Sequence, residues 1–314
     1  MRQKFRLGLH PVAASFLAVC ITVLALASPA AATTPDWQSV HLKVKEMVAG
    51  GTTFAWSELG SGPPLLLLNG TASPMNEWDP ALLAALSRTN RVIVFDYPGL
   101  GDSGPAPAAW RFNAAADWIT DFAAKVSPGF PVNILGWSMG GFIAQQMAVR
   151  HPEIVNALIL AATNPGSSRT VLGPTWVQAI DSSASSEADY LRTNYPPSGV
   201  AAGKRFLSRL TAAINSGAYQ PTDTPARTLN AMVAAEEPWL RSNSNLQALK
   251  TVKSPTLVLD GTQDVITPPA NSSTLASLIP DAKLVLFPKA GHSFLFQYPQ
   301  KVARAINAFL TENR

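Results

Sequence analysis

The sequence predicts an α/β fold, with a mostly parallel central sheet flanked by helices and a helical insertion before the last strands. Short, almost wholly apolar runs alternate with helical patterns along most of the chain, which is typical of buried parallel strands joined by helical crossovers. One long segment breaks this rhythm with helical patterns alone. At 314 residues, 47% hydrophobic and 14% charged, the chain is sufficient for one large domain with an insertion.

The first segment, residues 1–32, differs in composition from the rest and predicts a secretory signal peptide. Basic residues precede an uncharged run over 12–27, and small residues including Ala30 and Ala32 precede Thr33, which is the layout of a cleaved leader. An uncleaved membrane anchor is the alternative, but the apolar run is shorter than the roughly 20 residues that span a bilayer. We therefore expect cleavage near Ala32 and a secreted or periplasmic location.

The charge of the chain gives no sign of a nucleic-acid or membrane partner. The only charged residues of the leader, Arg2, Lys4 and Arg6, are basic and account for most of the formal net charge of +4. No basic stripe or run of like charge is left after cleavage, so we expect neither nucleic-acid binding nor a stable membrane anchor. The single cysteine, Cys20, also lies in the leader, so the rest of the chain has no thiol for a disulfide or metal. The oligomeric state is not predicted.

The first part of the core is predicted over residues 33–163. It opens with a hairpin over 40–59 that turns at Gly50-Gly51. Apolar runs then predict strands, and the segments between them predict the helical crossovers that parallel strands require. The strands are expected at 64–69, 91–96, 131–135 and 155–160, and the helices at about 76–87, 112–126 and 138–150.

Between residues 164 and 250 the strand pattern stops, and we predict a helical cap. A segment this long without strands inside an alternating chain is more typical of a lid than of a loop. Helical patterns lie at 175–192, 200–215 and 225–235. The second part of the core, residues 251–314, is then expected to contain strands at 255–260 and 283–287 and helices at about 268–279 and from 299.

The stretch Gly136-Trp-Ser138-Met-Gly140 places a serine between glycines, after a predicted strand and before a predicted helix. Small flanking residues permit the sharp turn of a nucleophile elbow, which holds the serine oxygen clear of the backbone. Close packing of the strand on the helix is the alternative reason for these glycines. The serine becomes a nucleophile only if a base takes its proton.

Histidine is the usual base near neutral pH, and three of the four histidines lie outside the leader. His292 follows the last predicted strand, at the carboxyl edge of the sheet where Ser138 also lies. His151 is expected to meet free backbone carbonyls at the end of the helix that follows Ser138. His41 is expected at a flexible or edge position near the start. His292 is therefore the candidate base.

A histidine base needs a carboxylate that holds its correct tautomer. Asp260 closes the penultimate strand and is expected to serve the turn, whereas Asp264 lies in the following loop and can reach His292. The chain order Ser138, Asp264, His292 is the order that accompanies an elbow serine.

One glycine-rich stretch resembles a nucleotide-binding motif, and we reject that interpretation. The stretch Gly-Leu-Gly-Asp-Ser-Gly at 99–104 matches a dinucleotide-binding pattern, but that pattern must open a helix, and Pro105 and Pro107 place these glycines in a loop. Its Asp102 and Ser103, with the preceding Asp96, are expected as turn and capping residues. No cofactor and no metal site is predicted.

Over residues 40–314 the chain resembles the α/β-hydrolase superfamily in several motifs that occur in the family's order. They are Leu68-Asn-Gly70-Thr71, where the family usually has His-Gly-x, then Asp96-Tyr-Pro-Gly99-Leu-Gly101-Asp-Ser103, the elbow, Gly261-Thr-Gln-Asp264 and Gly291-His292. The resemblance implies the α/β-hydrolase fold in its serine-nucleophile branch. It implies Ser138 as nucleophile, His292 as general base and Asp264 as orienting acid, without a cofactor.

The same resemblance implies an oxyanion hole formed by the backbone N–H groups of Thr71 and Met139. Asn69 stands where the family usually has histidine, and its amide can still hold the loop by hydrogen bonds. Trp137 is either a wall of the substrate pocket or part of the core. Six residues of the predicted cap could likewise line an apolar acyl pocket or pack the cap on the core, and packing is favoured for most of them. They are Trp176, Tyr190, Tyr195, Phe206, Trp239 and Leu240.

We therefore predict a secreted serine hydrolase that cleaves a carboxylic ester in a small-molecule acyl substrate. The form Gly-x-Ser-Met-Gly-Gly is also similar to that of prolyl iminopeptidases, cofactor-free haloperoxidases and enol-lactonases, so peptidase and perhydrolase activities are alternatives. A non-catalytic ligand-binding protein is a further alternative, since a fold does not by itself imply activity. The elbow serine argues against the haloalkane dehalogenase and epoxide hydrolase branches, which use aspartate there.

Overall fold

The computed structural model describes residues 36–174 and 186–314 and contains an eight-stranded sheet at its centre. The strands in chain order are β1 (Lys45–Ala49), β2 (Thr52–Leu59), β3 (Pro64–Leu68), β4 (Arg91–Phe95), β5 (Val132–Trp137), β6 (Val155–Ala161), β7 (Thr256–Gly261) and β8 (Lys283–Phe287). Their spatial order is β1-β2-β4-β3-β5-β6-β7-β8. β2 is antiparallel to β1 and β4, and every later pairing is parallel, so the predicted mostly parallel sheet is confirmed.

Helices cover both faces of this sheet. The α-helices in the described residues are α1 (Pro80–Leu86), α2 (Phe112–Val126), α3 (Met139–Arg150), α4 (Glu187–Asn194), α5 (Val200–Asn215), α6 (Ala226–Arg241), α7 (Ser244–Ala248), α8 (Pro269–Leu278), α9 (Phe294–Gln297) and α10 (Pro299–Glu312). The predicted leader, residues 1–32, lies outside the described part of the chain. Within residues 36–174 and 186–314, no helix has the length and hydropathy of a membrane span.

The apolar runs form strands because the sheet is buried on both faces. Leu66 and Leu68 of β3 contact the hydrophobic cluster on one face, and Leu65 and Leu67 contact the cluster on the other. Alternate side chains of a strand point to opposite faces, and burial of each leucine contributes about 1.5–3 kcal/mol. This two-sided burial explains why the runs lack alternating polar residues.

The helix predicted over 76–87 is wrong at its start. Met75–Glu77 forms a 3-10 turn, and α1 begins only at Pro80. Asp79 caps α1, because its Oδ1 accepts a hydrogen bond from the Ala81 N–H at 2.9 Å. Proline is favoured in the first turn, where its missing N–H leaves no bond unmade, so the helix starts there and not four residues earlier.

Between β6 and β7 the described residues contain the helices α4 to α7 and no strand. We call the described residues 186–251 the cap. α5 coincides with its prediction, whereas α6 extends beyond the predicted residue 235 to Arg241 and includes Pro238. Most of the helix predicted over 175–192 falls on residues 175–185, which lie outside the described residues, as does Trp176. The boundaries at 164 and 250 stay predictions.

A buried ion pair fastens the cap to the core. The Arg209 guanidinium on α5 donates to both carboxylate oxygens of Asp79, at 2.8 and 2.6 Å. Tyr219 follows α5, and its hydroxyl donates to the Trp78 carbonyl at 3.1 Å. Since breaking a buried ion pair typically costs about 3–5 kcal/mol, this corner holds the cap firmly against the start of α1.

The close approach of β5 and α3 yields a testable prediction about stability. A Cβ at Gly136 would lie 2.5 Å from the Gly140 carbonyl oxygen and 2.8 Å from the Gly141 Cα. We expect Gly136→Ala to lower the free energy of unfolding by about 1–3 kcal/mol, because the backbone must shift to admit the methyl group. Urea denaturation followed by tryptophan fluorescence measures this loss. An unfolding free energy within about 0.5 kcal/mol of wild type, the range of ordinary surface changes, would contradict it.

Candidate active site

Ser138 lies in a sharp turn between β5 and α3. Its φ of 54° and ψ of −121° place a non-glycine residue in a strained conformation. A side chain at Gly140 would collide with the backbone of Leu68 and Asn69. The turn is held by the Ser138 N–H, which donates to the Ala161 carbonyl at 3.0 Å, and by the Thr163 hydroxyl, which donates to the Ser138 carbonyl at 2.8 Å. The serine side chain is therefore presented at the carboxyl edge of the sheet.

A continuous chain of hydrogen bonds joins Ser138, His292 and Asp264. His292 Nε2 lies 3.0 Å from Ser138 Oγ, and His292 Nδ1 lies 2.8 Å from Asp264 Oδ2. An ionised carboxylate only accepts hydrogen bonds. The neutral imidazole can therefore carry its proton on Nδ1, which leaves Nε2 free to accept the serine proton. The structure brings together the three residues that the sequence singled out.

Asp264 is held in its ionised form. Burial alone would raise its pKa, but His292 and the backbone N–H groups of Ile266 and Thr267 outweigh burial, so the pKa lies below its ordinary value. Those N–H groups donate to Oδ1 at 2.8 and 2.9 Å, and the Thr267 hydroxyl donates to Oδ2 at 2.9 Å. The carboxylate can thus keep its charge and its orientation toward His292.

The neighbouring Asp260 has a different environment. It accepts hydrogen bonds from the Gly261 N–H at 2.7 Å and from the Ser272 hydroxyl on α8 at 2.7 Å. Burial, the nearby Asp264 charge and a side-chain hydrogen bond with Asp264 raise its pKa well above the ordinary value, because two adjacent carboxylates do not readily ionise together. Asp260 therefore links the end of β7 to a helix and not to the histidine.

The loop that carries His292 is fastened from two sides. The Trp137 indole N–H donates to the His292 carbonyl at 3.2 Å. From the cap, Asn194 accepts from the Ser293 N–H at 3.2 Å through its carbonyl and from the Ser293 hydroxyl at 3.0 Å through its side chain. Trp137 is buried, with its ring 5.0 Å from that of Phe296, and so packs in the core. A role for Trp137 in a substrate pocket stays a prediction.

The loop after β3 lies against the serine. A Cβ at Gly70 would be 3.6 Å from the Ser138 Cβ and 3.2 Å from the Trp137 ring, so the backbone leading into Thr71 passes close to the elbow. Met139 is the first residue of α3, where N–H groups have no acceptor within the helix. Thr71 and Met139 therefore both lie close to the elbow, and their role as oxyanion donors stays a prediction.

Asn69 holds this loop as the sequence predicted for its amide. Its Nδ2 donates to the Pro74 carbonyl at 2.9 Å, and its Oδ1 accepts from the Gly70 N–H at 3.0 Å. Asp96 adds a second attachment, because its Oδ1 accepts from the Met75 N–H at 2.7 Å. Burial raises the pKa of Asp96 to about 6. Both side chains therefore serve the conformation of the segment that contains Thr71.

Two further expectations have different outcomes. The imidazole of His151 was expected to meet backbone carbonyls, which is wrong: its Nε2 lies 2.6 Å from Asp117 Oδ1 on α2, and only its backbone N–H closes α3. A carboxylate on an adjacent helix is the stronger partner, and sequence spacing does not reveal it. The stretch 99–104 forms a turn and not a helix start, and the Ser103 hydroxyl donates to the Asp96 carbonyl at 2.7 Å.

The aromatic residues of the cap pack against one another and against the core. Phe206 stacks on Phe296 with ring centroids 4.4 Å apart, and Trp239 stacks on Phe142 at 5.3 Å. The Trp239 indole also donates to Asn164 Oδ1 at 3.1 Å. The remaining members of the predicted set, all with ring or cluster contacts, are Tyr190, Tyr195 and Leu240.

Sequence reasoning missed one residue beside the site, Glu236 of α6. Its side chain is buried, and its Oε1 accepts a hydrogen bond from the Thr71 hydroxyl at 3.1 Å. Burial raises its pKa to about 7, although the bond from Thr71 lowers it. The available signal was its helical register, because Glu236 is four residues after Met232 and three before Trp239, both buried.

Comparison with known proteins agrees with this architecture. A family model for the alpha/beta hydrolase fold matches residues 63–299. The chain is 31% identical over 260 residues to the pimeloyl-[acyl-carrier protein] methyl ester esterase of Nitrosomonas europaea. The aligned region covers 79% of this chain and 96% of that protein. It is 26% identical over 263 residues to BpoC of Mycobacterium tuberculosis, which carries the name of a non-heme bromoperoxidase, across 82% of this chain and 97% of BpoC.

Longer relatives and solved structures extend the comparison. The chain spans 44% of the biotin biosynthesis bifunctional protein BioHC of Teredinibacter turnerae, with 29% identity over 263 residues and 79% of this chain covered. The alpha/beta hydrolase fold protein from Chitinophaga pinensis has a TM-score of 0.77 at 24% identity, covering 88% of this chain and 98% of that one. The match over most of the chain shows that this protein belongs to the α/β-hydrolase superfamily.

Proposed function

We propose that the protein hydrolyses carboxylic esters of small-molecule acyl substrates through an acyl-enzyme on Ser138. The single observation that carries this proposal is the chain of hydrogen bonds from Ser138 Oγ through His292 to Asp264, with links of 3.0 and 2.8 Å. A serine next to a base that is itself oriented by a third group is the arrangement of an activated nucleophile. Hydrolase chemistry on esters is supported at the family level by the esterase relatives.

In this mechanism His292 Nε2 takes the proton of Ser138 as Oγ attacks the acyl carbonyl. The imidazolium is stabilised by Asp264, and the carbonyl oxygen, now negative, is received by the Thr71 and Met139 amides. One such donor typically contributes about 3–4 kcal/mol to the transition state. His292 then gives its proton to the leaving alkoxide. Water, deprotonated by the same imidazole, attacks the acyl-enzyme, and the bond between the acyl carbon and Ser138 Oγ breaks. The departing Oγ takes the proton back from His292, so that the acid is released and the free serine is restored.

A perhydrolase is the second candidate, favoured by the similarity to BpoC. It would use the same acyl-enzyme, with hydrogen peroxide in place of water as the second nucleophile, and would yield a peracid that oxidises halide. Purified protein in acetate, peroxide and bromide separates the two reactions. Bromination of a phenolic dye at a rate comparable with ester hydrolysis would favour the perhydrolase, and ester hydrolysis alone would favour the esterase. Amino-acid arylamides in the same panel test the peptidase alternative.

We also propose that the protein is exported and that its leader is removed before Thr33. The basic start, the uncharged run and the small residues at 30 and 32 support this. Intact mass of protein recovered from the periplasm or medium of an expressing bacterium tests it. A chain that begins at Thr33 is the expected result, and a full-length chain in the cytoplasm would contradict the proposal.

The reactivity of Ser138 toward an electrophilic probe tests its proposed role as nucleophile. A fluorophosphonate probe should add once to the wild-type protein, as read by intact mass, because an activated serine attacks phosphorus as it attacks a carbonyl. Ser138→Ala should remain unlabelled, and His292→Ala should label far more slowly because no base takes the proton. A folded wild type that stays unlabelled under conditions that label a control serine hydrolase would refute the catalytic interpretation.

Substitutions at Asp264 and Asp260 separate the roles of these two acids near the end of β7. Asp264→Asn should lower kcat for a short-chain ester by about 10³–10⁴, because the amide no longer selects the tautomer that leaves Nε2 unprotonated. Asp260→Asn is the matched control and should stay within about tenfold of wild type, since Asp260 bonds Gly261, Ser272 and the Asp264 side chain but not His292, and asparagine keeps both an acceptor and a donor for these contacts. Equal losses in the two variants would show that Asp264 has no special role.

A further inference from the structure

The cap contacts the loop that carries the proposed oxyanion donor through a buried carboxyl group. Glu236 on α6 is 4% exposed, and its Oε1 lies 3.1 Å from the Thr71 hydroxyl. Its other oxygen, Oε2, has no hydrogen-bond partner among the described residues. The residue whose amide is proposed to receive the oxyanion is thus tied by its side chain to the cap.

Other cap residues hold the same loop. The Thr224 hydroxyl donates to the Ala72 carbonyl at 2.8 Å, and the Asn76 side chain donates to the Gln220 carbonyl at 2.6 Å. Together with the Arg209 contact to Asp79, these bonds run along the loop from its beginning to its end. The core holds the loop from the other side, because the Tyr97 hydroxyl donates to the Asn69 carbonyl at 2.9 Å and Asp96 Oδ1 accepts from the Met75 N–H at 2.7 Å. The conformation of the loop therefore depends on the position of the cap.

Burial of the Glu236 carboxyl group at this contact costs solvation free energy. A buried carboxyl group with an oxygen that lacks a partner loses solvation without full compensation, and burial raises its pKa to about 7. Its neighbours in helical register, Met232 and Trp239, are apolar and buried. The bond from the Thr71 hydroxyl is thus the hydrogen bond that this buried carboxyl group makes among the described residues.

We propose that Glu236 is a positioning residue that holds Thr71 in register with Ser138, so that the cap forms part of the oxyanion hole. This inference rests on the proposed function, because it concerns the amide that receives the oxyanion. It also assigns the cap a role in the chemical step, beyond covering the acyl group. An interaction that acts on the transition state changes kcat and leaves KM nearly unchanged.

The test compares two substitutions of Glu236 with a matched control on the same helix turn. Glu236→Ala removes the acceptor for the Thr71 hydroxyl and should lower kcat for a short-chain ester by about 10- to 100-fold, since small misplacements at a reacting centre have effects of this size. KM should stay within about threefold of the wild-type value. Glu236→Gln keeps an oxygen acceptor and should restore kcat to within about threefold of wild type. Glu237→Ala should behave as wild type, because Glu237 is exposed and pairs with Arg241 at 2.8 Å.

A second variant keeps the test decisive if Glu236→Ala does not fold, which thermal unfolding reveals. Thr71→Val removes the same hydrogen bond from the other side and retains the backbone N–H, so it should show the same fall in kcat at constant KM. The double variant Thr71→Val with Glu236→Gln should lose no more than Thr71→Val alone, because both changes act on one interaction.

The outcomes distinguish this inference from the proposed function. If wild type hydrolyses esters and labels with fluorophosphonate, but Glu236→Ala and Thr71→Val retain full kcat, the positioning role is wrong and the function stands. A rise in KM alone would show that Glu236 contacts substrate, which also overturns the positioning role. If folded wild type neither hydrolyses esters nor labels, the proposed function fails and the inference fails with it.

Discussion

The arrangement of the site depends on the close approach of β3, β5 and α3 at the elbow. Ser138 can adopt its strained backbone only because Gly136 and Gly140 leave room for the neighbouring main chain, and a side chain at Gly140 would strike Leu68 and Asn69. The same approach brings the loop after β3 against the serine. One steric constraint thereby sets both the exposure of Oγ and the distance to the Thr71 loop.

The parallel sheet converts distant sequence positions into neighbours. Ser138, Asp264 and His292 follow different strands, and the carboxyl ends of parallel strands share one edge. Each of their loops is then held by its own hydrogen bonds: Asp264 by backbone N–H groups, His292 by Trp137 and Asn194, and the Thr71 loop by Asn69 and the cap. The proposed reaction requires such preorganisation, because fixed donors stabilise developing charge without rearranging.

The sheet and the three aligned residues could be predicted because they rest on local signals. Two-sided burial leaves uninterrupted apolar runs, and the elbow needs small residues at set spacing. Contacts between distant segments leave no such pattern. Asp117, which bonds His151, lies on another helix, and the contact of Glu236 with Thr71 joins residues 165 positions apart. Neither contact could be predicted from sequence spacing. The start of α1 at Pro80 was readable from Asp79 and the proline, which are favoured at the cap and in the first turn of a helix.

The central claim is that Ser138 carries the acyl group during turnover, and trapping that intermediate tests it most directly. Wild-type protein mixed with an activated phenyl ester in a quenched-flow instrument should release phenol in a burst of about one equivalent per site. Acid quenching within the burst and mass spectrometry of peptides should locate the acyl group on Ser138. The ester should carry a bulky acyl group, which makes deacylation slow. Steady release of phenol without a burst from such an ester would contradict the acyl-enzyme on Ser138. An acyl group found on another residue would contradict it as well.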